Sequence, residues 1–269
     1  MRKQISRERN NTMIQLVPLI SEGHILTRPI LQAWSDHVFL VDEYLYKGYA
    51  DGILAGCELT TTEDTIVLNE GLMFFENQVF LFKEPMMVKY EPTNTTMVLK
   101  VCFSNEMRDA SYRYREVDLV LSEQLTLQKG ELELCRFKLQ EGARLRYLYQ
   151  DFEDRNTEYD TLNTIHTPYT AKGRSTLSPD ITRGFAREML EQEHICDFDA
   201  LFCLQILAAD KPITKDALVG YIERREKKKL EDTSNLGVYR ELLKVLQREK
   251  GILKQEEVQK KKQWKIKVD

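Results

Sequence analysis

Residues 49–83 read YADGILAGCELTTTEDTIVLNEGLMFFENQVFLFK, the densest run of short, turn-punctuated strand signals in the chain. Gly52 and Gly56 bracket the apolar Ile53-Leu54-Ala55. Thr65-Ile66-Val67-Leu68 is a β-branched strand closed by Asn69-Glu70-Gly71. Residues 72–75 and 79–82 are apolar runs facing each other across Glu76-Asn77-Gln78, which predicts a β-hairpin. The Asn69-Glu70-Gly71 turn predicts a positive φ at Gly71, where a β-branched residue would be strained.

Working outward, short strands continue on the C-terminal side at residues 86–90, 97–103 and 117–121, separated by Glu91-Pro92-Thr93-Asn94 and by the polar stretch 104–115. In residues 131–139 the apolar alternation changes phase after Leu134, and a bulge near Cys135 would restore the register. On the N-terminal side, Thr27 stands as an N-cap before Arg28-Pro29, and Ile30, Leu31, Trp34 and Val38 share one helical face, predicting a helix over residues 28–39. Residues 13–20, MIQLVPLI, read as an edge strand or extended arm limited by Pro18.

Residues 149–174 are polar and aperiodic, with Pro168 and Gly173 as punctuation, and 151–176 read as a linker. Helix signals follow. Ser178-Pro179 opens one with Ile181, Phe185 and Met189 inward; Asp197 caps a second with Leu201, Phe202 and Ile206 inward. Thr214 caps a third with Leu218 and Ile222 inward, and residues 238–250 form a fourth, with Tyr239, Leu242, Leu243 and Leu246 as its stripe and Gly251 as its stop. The tail alternates Trp264, Ile266 and Val268 with lysines, a strand pattern. The predicted fold class is α+β: an arm, a helix and a mostly antiparallel β domain over 1–150, the linker 151–176, and a helical domain with a basic tail over 177–269.

At 269 residues, 42% hydrophobic and 30% charged, the composition is that of a globular protein able to bury a full core. No apolar run approaches the roughly 20 residues of a membrane span, and MRKQISRERNNT lacks the apolar core of a signal peptide, so the chain is expected to stay in the cytoplasm where it is made. Five cysteines, Cys57, Cys102, Cys135, Cys196 and Cys203, lie mostly within apolar runs and read as reduced thiols. The net charge of −4 hides an asymmetry: residues 221–269 carry 15 Lys or Arg against 9 Asp or Glu.

The candidate chemistry is thin. His194, Cys196 and Cys203 could supply three zinc ligands, but their spacing matches no common zinc pattern and buried thiols explain the cysteines. His24, His37 and His166 are scattered without a nucleophile context. Asp151, Glu153, Asp154, Glu158 and Asp160 lack the glycine and ligand order of a calcium loop. No phosphate-binding glycine motif occurs, and the basic runs 224–229 and 260–262 are interleaved with glutamates. The sequence therefore assigns no catalytic residue, no cofactor and no metal, and reads as non-catalytic.

Residues 22–103 resemble the attachment or adaptor domain of bacteriophage tail and baseplate proteins, also found in phage-derived contractile injection systems. The resemblance lies in EGHILTRPILQAW (22–34), YADGILAGCEL (49–59), TIVLNEGLMFFENQVFLF (65–82) and YEPTNTTMVLKV (90–101). It implies a structural subunit that binds other tail or baseplate proteins and neighbouring copies of itself, as a homo-oligomer or in a ring, with no membrane partner. The compact C-terminal part favours an adaptor or baseplate component over a receptor-binding fibre. The rival readings are a nucleic-acid-associated or regulatory protein using the basic C-terminal region, and a hydrolase whose site the sequence does not display.

Overall fold

The computed structural model describes residue 22 and residues 25–251. The arm at 13–20, His24, the basic run 260–262 and the tail strand all lie outside these residues. The fold is α+β, and the chain divides into two compact units, the first ending at Lys47 and the second beginning at Gly48.

The first unit contributes α1 (Arg28–Leu45), six residues longer than the periodicity predicts. Thr27 stands at its N-cap, but only its carbonyl is used, accepting from the amides of Ile30 and Leu31 at 3.0 and 3.1 Å; no side-chain cap forms.

The second unit opens with antiparallel strands: β1 (Gly52–Gly56), β2 (Leu59–Thr61), β3 (Thr65–Leu68), β4 (Gly71–Phe75), β5 (Gln78–Phe82), β6 (Met86–Lys89), β7 (Thr96–Phe103), β8 (Met107–Arg108), β9 (Arg113–Tyr114), β10 (Val117–Ser122) and β11 (Glu131–Lys138). They form sheets ordered β1-β4-β5, β2-β3-β6 and β10-β7-β11, with β8 and β9 as a separate small hairpin inside the stretch read as a polar connector. The β4–β5 hairpin is one residue tighter than expected. Its loop is Glu76-Asn77 with both φ positive, at 46° and 61°, the backbone twist that two-residue hairpins favour. The β7–β11 register shifts between Glu133 and Cys135, so the predicted bulge is present, and it sends both Leu134 and Cys135 into the core.

Gly71 departs from expectation in its mechanism. It does not have a positive φ; a Cβ there would lie 2.3 Å from the Cys57 amide nitrogen and 2.5 Å from the Ala55 carbonyl oxygen. The left-handed positions are Gly56 and Cys57, at φ 62° and 56° across the sheet, and they bring β1 onto the start of β4. The glycine is required by close backbone approach.

Four helices follow: α2 (Pro179–Leu190), α3 (Asp197–Ala208), α4 (Lys215–Glu226) and α5 (Asn235–Glu249). Ser178 caps α2 by accepting from the Asp180 amide, and Thr214 caps α4 by accepting from Ala217, both as predicted. At α3 the N-cap is Cys196, with Asp197 the first helical residue, and at α5 Ser234 caps a start three residues earlier than expected. Leu201 does not point inward: it is 59% exposed, beside half-exposed Phe198 and Leu204, so the outer face of α3 is apolar.

Two hydrophobic cores result. One gathers the strands around Ile66, Met73, Leu99, Val101, Leu134 and Leu139, and the other gathers the helices around Phe185, Met189, Ile222, Tyr239 and Leu246. The stretch 151–176 feeds both, with Leu162 in the first and Phe152 and Ile165 in the second. Its polar composition conceals burial: Thr161, Thr167, Thr170 and Thr176 are all buried, and the Thr167 and Thr176 hydroxyls donate to the Leu134 and Ile213 carbonyls. The division into a β domain and a helical domain is retained as a proposal, with two cores as its basis. Much of 151–176 is buried apart from the exposed run 172–174, which moves the expected first proteolytic cut within the described residues to the exposed Lys47 at the end of the first unit. Limited trypsinolysis read by mass spectrometry should cleave after Lys47 before it cleaves after Arg155 or Lys172; the reverse order would show that 151–176 opens first.

One buried cation carries a pH signature. Lys215, at the first position of α4, is 5% exposed, and its ammonium donates to Asn235 Oδ1 at the start of α5. Burial, reinforced by the Arg174 charge, lowers its pKa from 10.5 to about 8, while Asp232 opposes the shift. Because the folded pKa lies below the unfolded one, the charged form opposes folding in full below about pH 8, and the cost is relieved as pH rises from there to 10.5. Lys215→Met should therefore differ most from the parent at neutral pH, gaining on the order of 2–3 kcal/mol from the removed charge less the lost hydrogen bond. Urea unfolding of both chains at several pH values should show the parent gaining on the variant across that window; a constant offset would refute the buried charge.

Candidate functional site

The sequence-predicted chemical residues do not converge. Among the described residues no group of three or more His, Cys, Asp or Glu could hold a metal ion. His194 is exposed, Cys203 is buried in the helical core, and the Cys196 thiol donates to Asp199 at 3.2 Å. Asp199 is wholly buried and also accepts from the Tyr221 hydroxyl at 2.8 Å and pairs with Arg225 at 3.0 Å, a clasp holding α3 to α4. The Cys203 thiol is pushed up to about 12 by burial, which leaves it a poor nucleophile. His37 sits exposed on α1, and the pKa of half-buried His166 is lowered by desolvation and then by the Arg136 charge.

The carboxylates of the acidic stretch serve the backbone and their neighbours. Asp154 takes Arg146 in a two-pronged pair that holds its carboxyl well below the usual range. Asp151 accepts from the Asp154 amide, Asp160 from the Gln140 amide, and Glu158 pairs with Lys138. The basic run is likewise engaged: Arg225 binds Asp199 and Glu249, and Lys228 pairs with Glu231, while Glu226 takes Arg248.

A cleft of about 570 Å³ lies beside the β1–β2 bend and the start of α2, with Tyr149, Tyr169, Asp180, Arg183 and Asp210 among its polar lining. Several of its polar groups are bonded to the protein itself. The Tyr149 hydroxyl donates to the Leu162 carbonyl at 2.7 Å, Arg183 donates to the Ala209 carbonyl at 2.9 Å, and Asp180 pairs with Arg155 at 2.7 Å. Burial pushes the Tyr169 hydroxyl up to about 12. No nucleophile stands beside a base in this lining.

Among the described residues, α1 is the helix that buries none of its side chains. None of its residues is buried, although ten of its eighteen are apolar. Leu31, Trp34, Val38, Val41 and Leu45 recur at alternating three- and four-residue steps, the spacing of a helix-contacting seam, and all are 39% to 61% exposed. Gln32, Asp36 and Glu43 lie on the opposite side, where Gln32 donates to Asp36 at 2.7 Å, and Ser35 and Asp42 flank the row. The sequence expectation stopped this helix at Phe39, a large apolar residue in the middle of the polar side, and so missed the second half of the seam.

No protein-family model matches the chain, and no curated protein matches it. Among solved structures, TssK in a crystal structure aligns with TM-score 0.40 and 12% identity, over 88% of this chain and 69% of that one. A chain of the type VI secretion system TssK–TssF–TssG baseplate subcomplex, seen by cryo-electron microscopy, aligns with TM-score 0.39 and 9% identity, over 86% and 98%. A chain of the type VI secretion system baseplate complex aligns with TM-score 0.33 and 10% identity, over 88% and 99%. Likenesses at these scores carry no argument about role. No helix among the described residues is long and apolar enough to cross a membrane.

Proposed function

We propose that this chain is a non-catalytic structural subunit or adaptor of a phage or phage-like tail or baseplate, binding neighbouring subunits through α1. The observation that carries the reading is the helix itself. Apolar side chains left in water forgo about 25 cal/mol per Å² of burial, and a globular chain folded for its own sake would turn that face inward. The sequence elements at 22–103 that resemble a tail attachment domain supply the setting. The particle, in this reading, assembles in the bacterial cytoplasm, and the chain needs no cofactor.

The test is co-sedimentation of the tagged chain with tail-like particles from the cells that encode it. The parent should travel with the particles, and Val38→Glu/Val41→Glu should stay behind while keeping the parent's circular dichroism and melting temperature. A parent absent from the particles, or a double variant that still joins them, would overturn the reading.

A further inference from the structure

The cleft beside the β1–β2 bend borders a strand edge whose backbone groups are unused. In the β2–β3 ladder the Asn69 amide donates to the Glu58 carbonyl at 3.0 Å and the Thr62 amide to the Thr65 carbonyl at 2.8 Å, so residues 58, 60 and 62 carry the bonds to β3. Leu59 and Thr61 therefore turn their amides and carbonyls the other way, and β2 is the outermost strand of its sheet. Leu59 and Thr60 both line the cleft. Successive residues of a strand point to opposite faces, so a cleft that meets both runs along the edge and not over one face. Among the described residues the outward amide of Leu59 meets no acceptor.

The lining also holds unpaired charge of both signs. Arg183 and Arg187 stand one turn apart on α2; Arg183 donates to the neutral Ala209 carbonyl, and Arg187 has no carboxylate partner among the described residues. Glu58 and Asp210 have no cation partner among them either. The space of about 570 Å³ between these groups and the apolar Ile53 and Leu162 is that of an ordinary ligand pocket. These conditions suit one extended segment, with backbone groups for the edge, one apolar face, and one polar face carrying both charges.

The sequence holds such a segment outside the described residues. In 264–269, WKIKVD, the apolar Trp264, Ile266 and Val268 alternate with Lys265, Lys267 and Asp269. The chain is long enough to bring it there. α5 starts at the cleft, where the Asn235 side chain donates to the carbonyl of cleft-lining Thr167 at 3.0 Å, and its 15 residues carry the chain about 22 Å away. Residues 252–263 span up to roughly 40 Å when extended, which covers the return. The arm at 13–20 fits less well, having no charged residue and a proline among its backbone donors. We propose that residues 264–269 lie in this cleft as an added strand on the outer edge of β2, so that the chain fills its own peptide-binding site. The contact is made within one chain and is independent of the assembly reading; any other strand must displace the tail to enter.

Fluorescence of Trp264 tests it, because Trp34→Phe leaves Trp264 as the one indole of the full chain. Its quenching by acrylamide should be several-fold weaker than that of a synthetic peptide of residues 260–269, and should not change on dilution. Leu59→Pro, added to that chain, removes an amide that the β2–β3 ladder does not use, so quenching should rise to the level of the peptide while circular dichroism stays the same. Leu148→Lys, at a cleft residue that is 66% exposed and so dispensable to the core, should do likewise by repelling Lys265 and Lys267, and it decides the matter if the proline variant fails to fold. Leu201→Glu/Leu204→Glu, on the exposed apolar face of α3, should leave Trp264 shielded. A parent quenched like the peptide, shielding lost on dilution, shielding that survives Leu148→Lys or a folded Leu59→Pro chain, or release by the α3 variant would each overturn the proposal.

Discussion

Gly71→Val is expected to lower the stability of the chain by about 3 kcal/mol, and its Tm by about 6–12 °C. The Cβ alone meets backbone, 2.3 Å from the Cys57 nitrogen and 2.5 Å from the Ala55 oxygen, with the Cys57 sulfur 2.6 Å away. The strand opposite cannot yield easily. The Cys57 amide donates to the Glu70 carbonyl at 2.9 Å, Gly56 is paired with Gly71, and Gly71 is paired with Phe82 on its other side. Close approach and a turn conformation make different predictions for smaller substitutions. A positive φ would tolerate Asn far better than Val, whereas a clash at Cβ makes Gly71→Ala and Gly71→Asn nearly as damaging as Gly71→Val. Urea unfolding of the three variants decides it: a mild Asn variant beside a crippled Val variant would restore the turn explanation.

The second large effect is at Phe152, the residue that opens the stretch between the strands and the helices. Its ring is wholly buried, stacks on Tyr239 at 4.8 Å between centroids, and tilts against Phe185 at 5.7 Å. Its carbonyl accepts from the Tyr239 hydroxyl at 2.6 Å, and its amide donates to Glu188. Phe152→Ala should cost about 3–5 kcal/mol, the sum of lost apolar transfer and an unfilled cavity. Tyr239→Phe should cost about 1 kcal/mol, chiefly through the unpaired Phe152 carbonyl, since the second contact of the hydroxyl, to the Glu153 carbonyl, is long at 3.4 Å. If Phe152→Ala unfolds in urea within 1 kcal/mol of the parent, residues 151–176 are held by something other than the helical core.

The elements that the sequence makes legible share a local cause. The β4–β5 hairpin, the bulge before Cys135 and the caps Ser178 and Thr214 are each fixed by residues within a few positions of one another. What stays hidden depends on distant partners. Residues 151–176 look like a solvated connector because their threonines are polar, yet backbone carbonyls far along the chain take up the hydroxyls of Thr167 and Thr176. Gly71 has its reason in Cys57 across the sheet, not in its own turn. Leu201 looks inward by spacing because α3 is apolar on all sides, so periodicity cannot choose a face. The candidate surface was half legible: Leu31, Trp34 and Val38 announce a face, but periodicity cannot say whether that face meets the chain's own core.

The pairing of β1 with residues far downstream bears on how the chain emerges from the ribosome. The Ile53 amide donates to the Pro168 carbonyl at 2.9 Å, the Thr170 amide donates to the Ile53 carbonyl at 2.8 Å, and the Ala50 amide donates to Ala171 at 3.0 Å. More than a hundred residues must be synthesised before that edge of the sheet closes, which at ordinary elongation rates is several seconds or more. Through that interval β1 presents unpaired backbone groups in a crowded polysome, where nascent copies of the same sequence lie side by side. Slow codons placed after position 171 would give the edge time to close, while slow codons placed before it would hold it open and favour inclusion bodies.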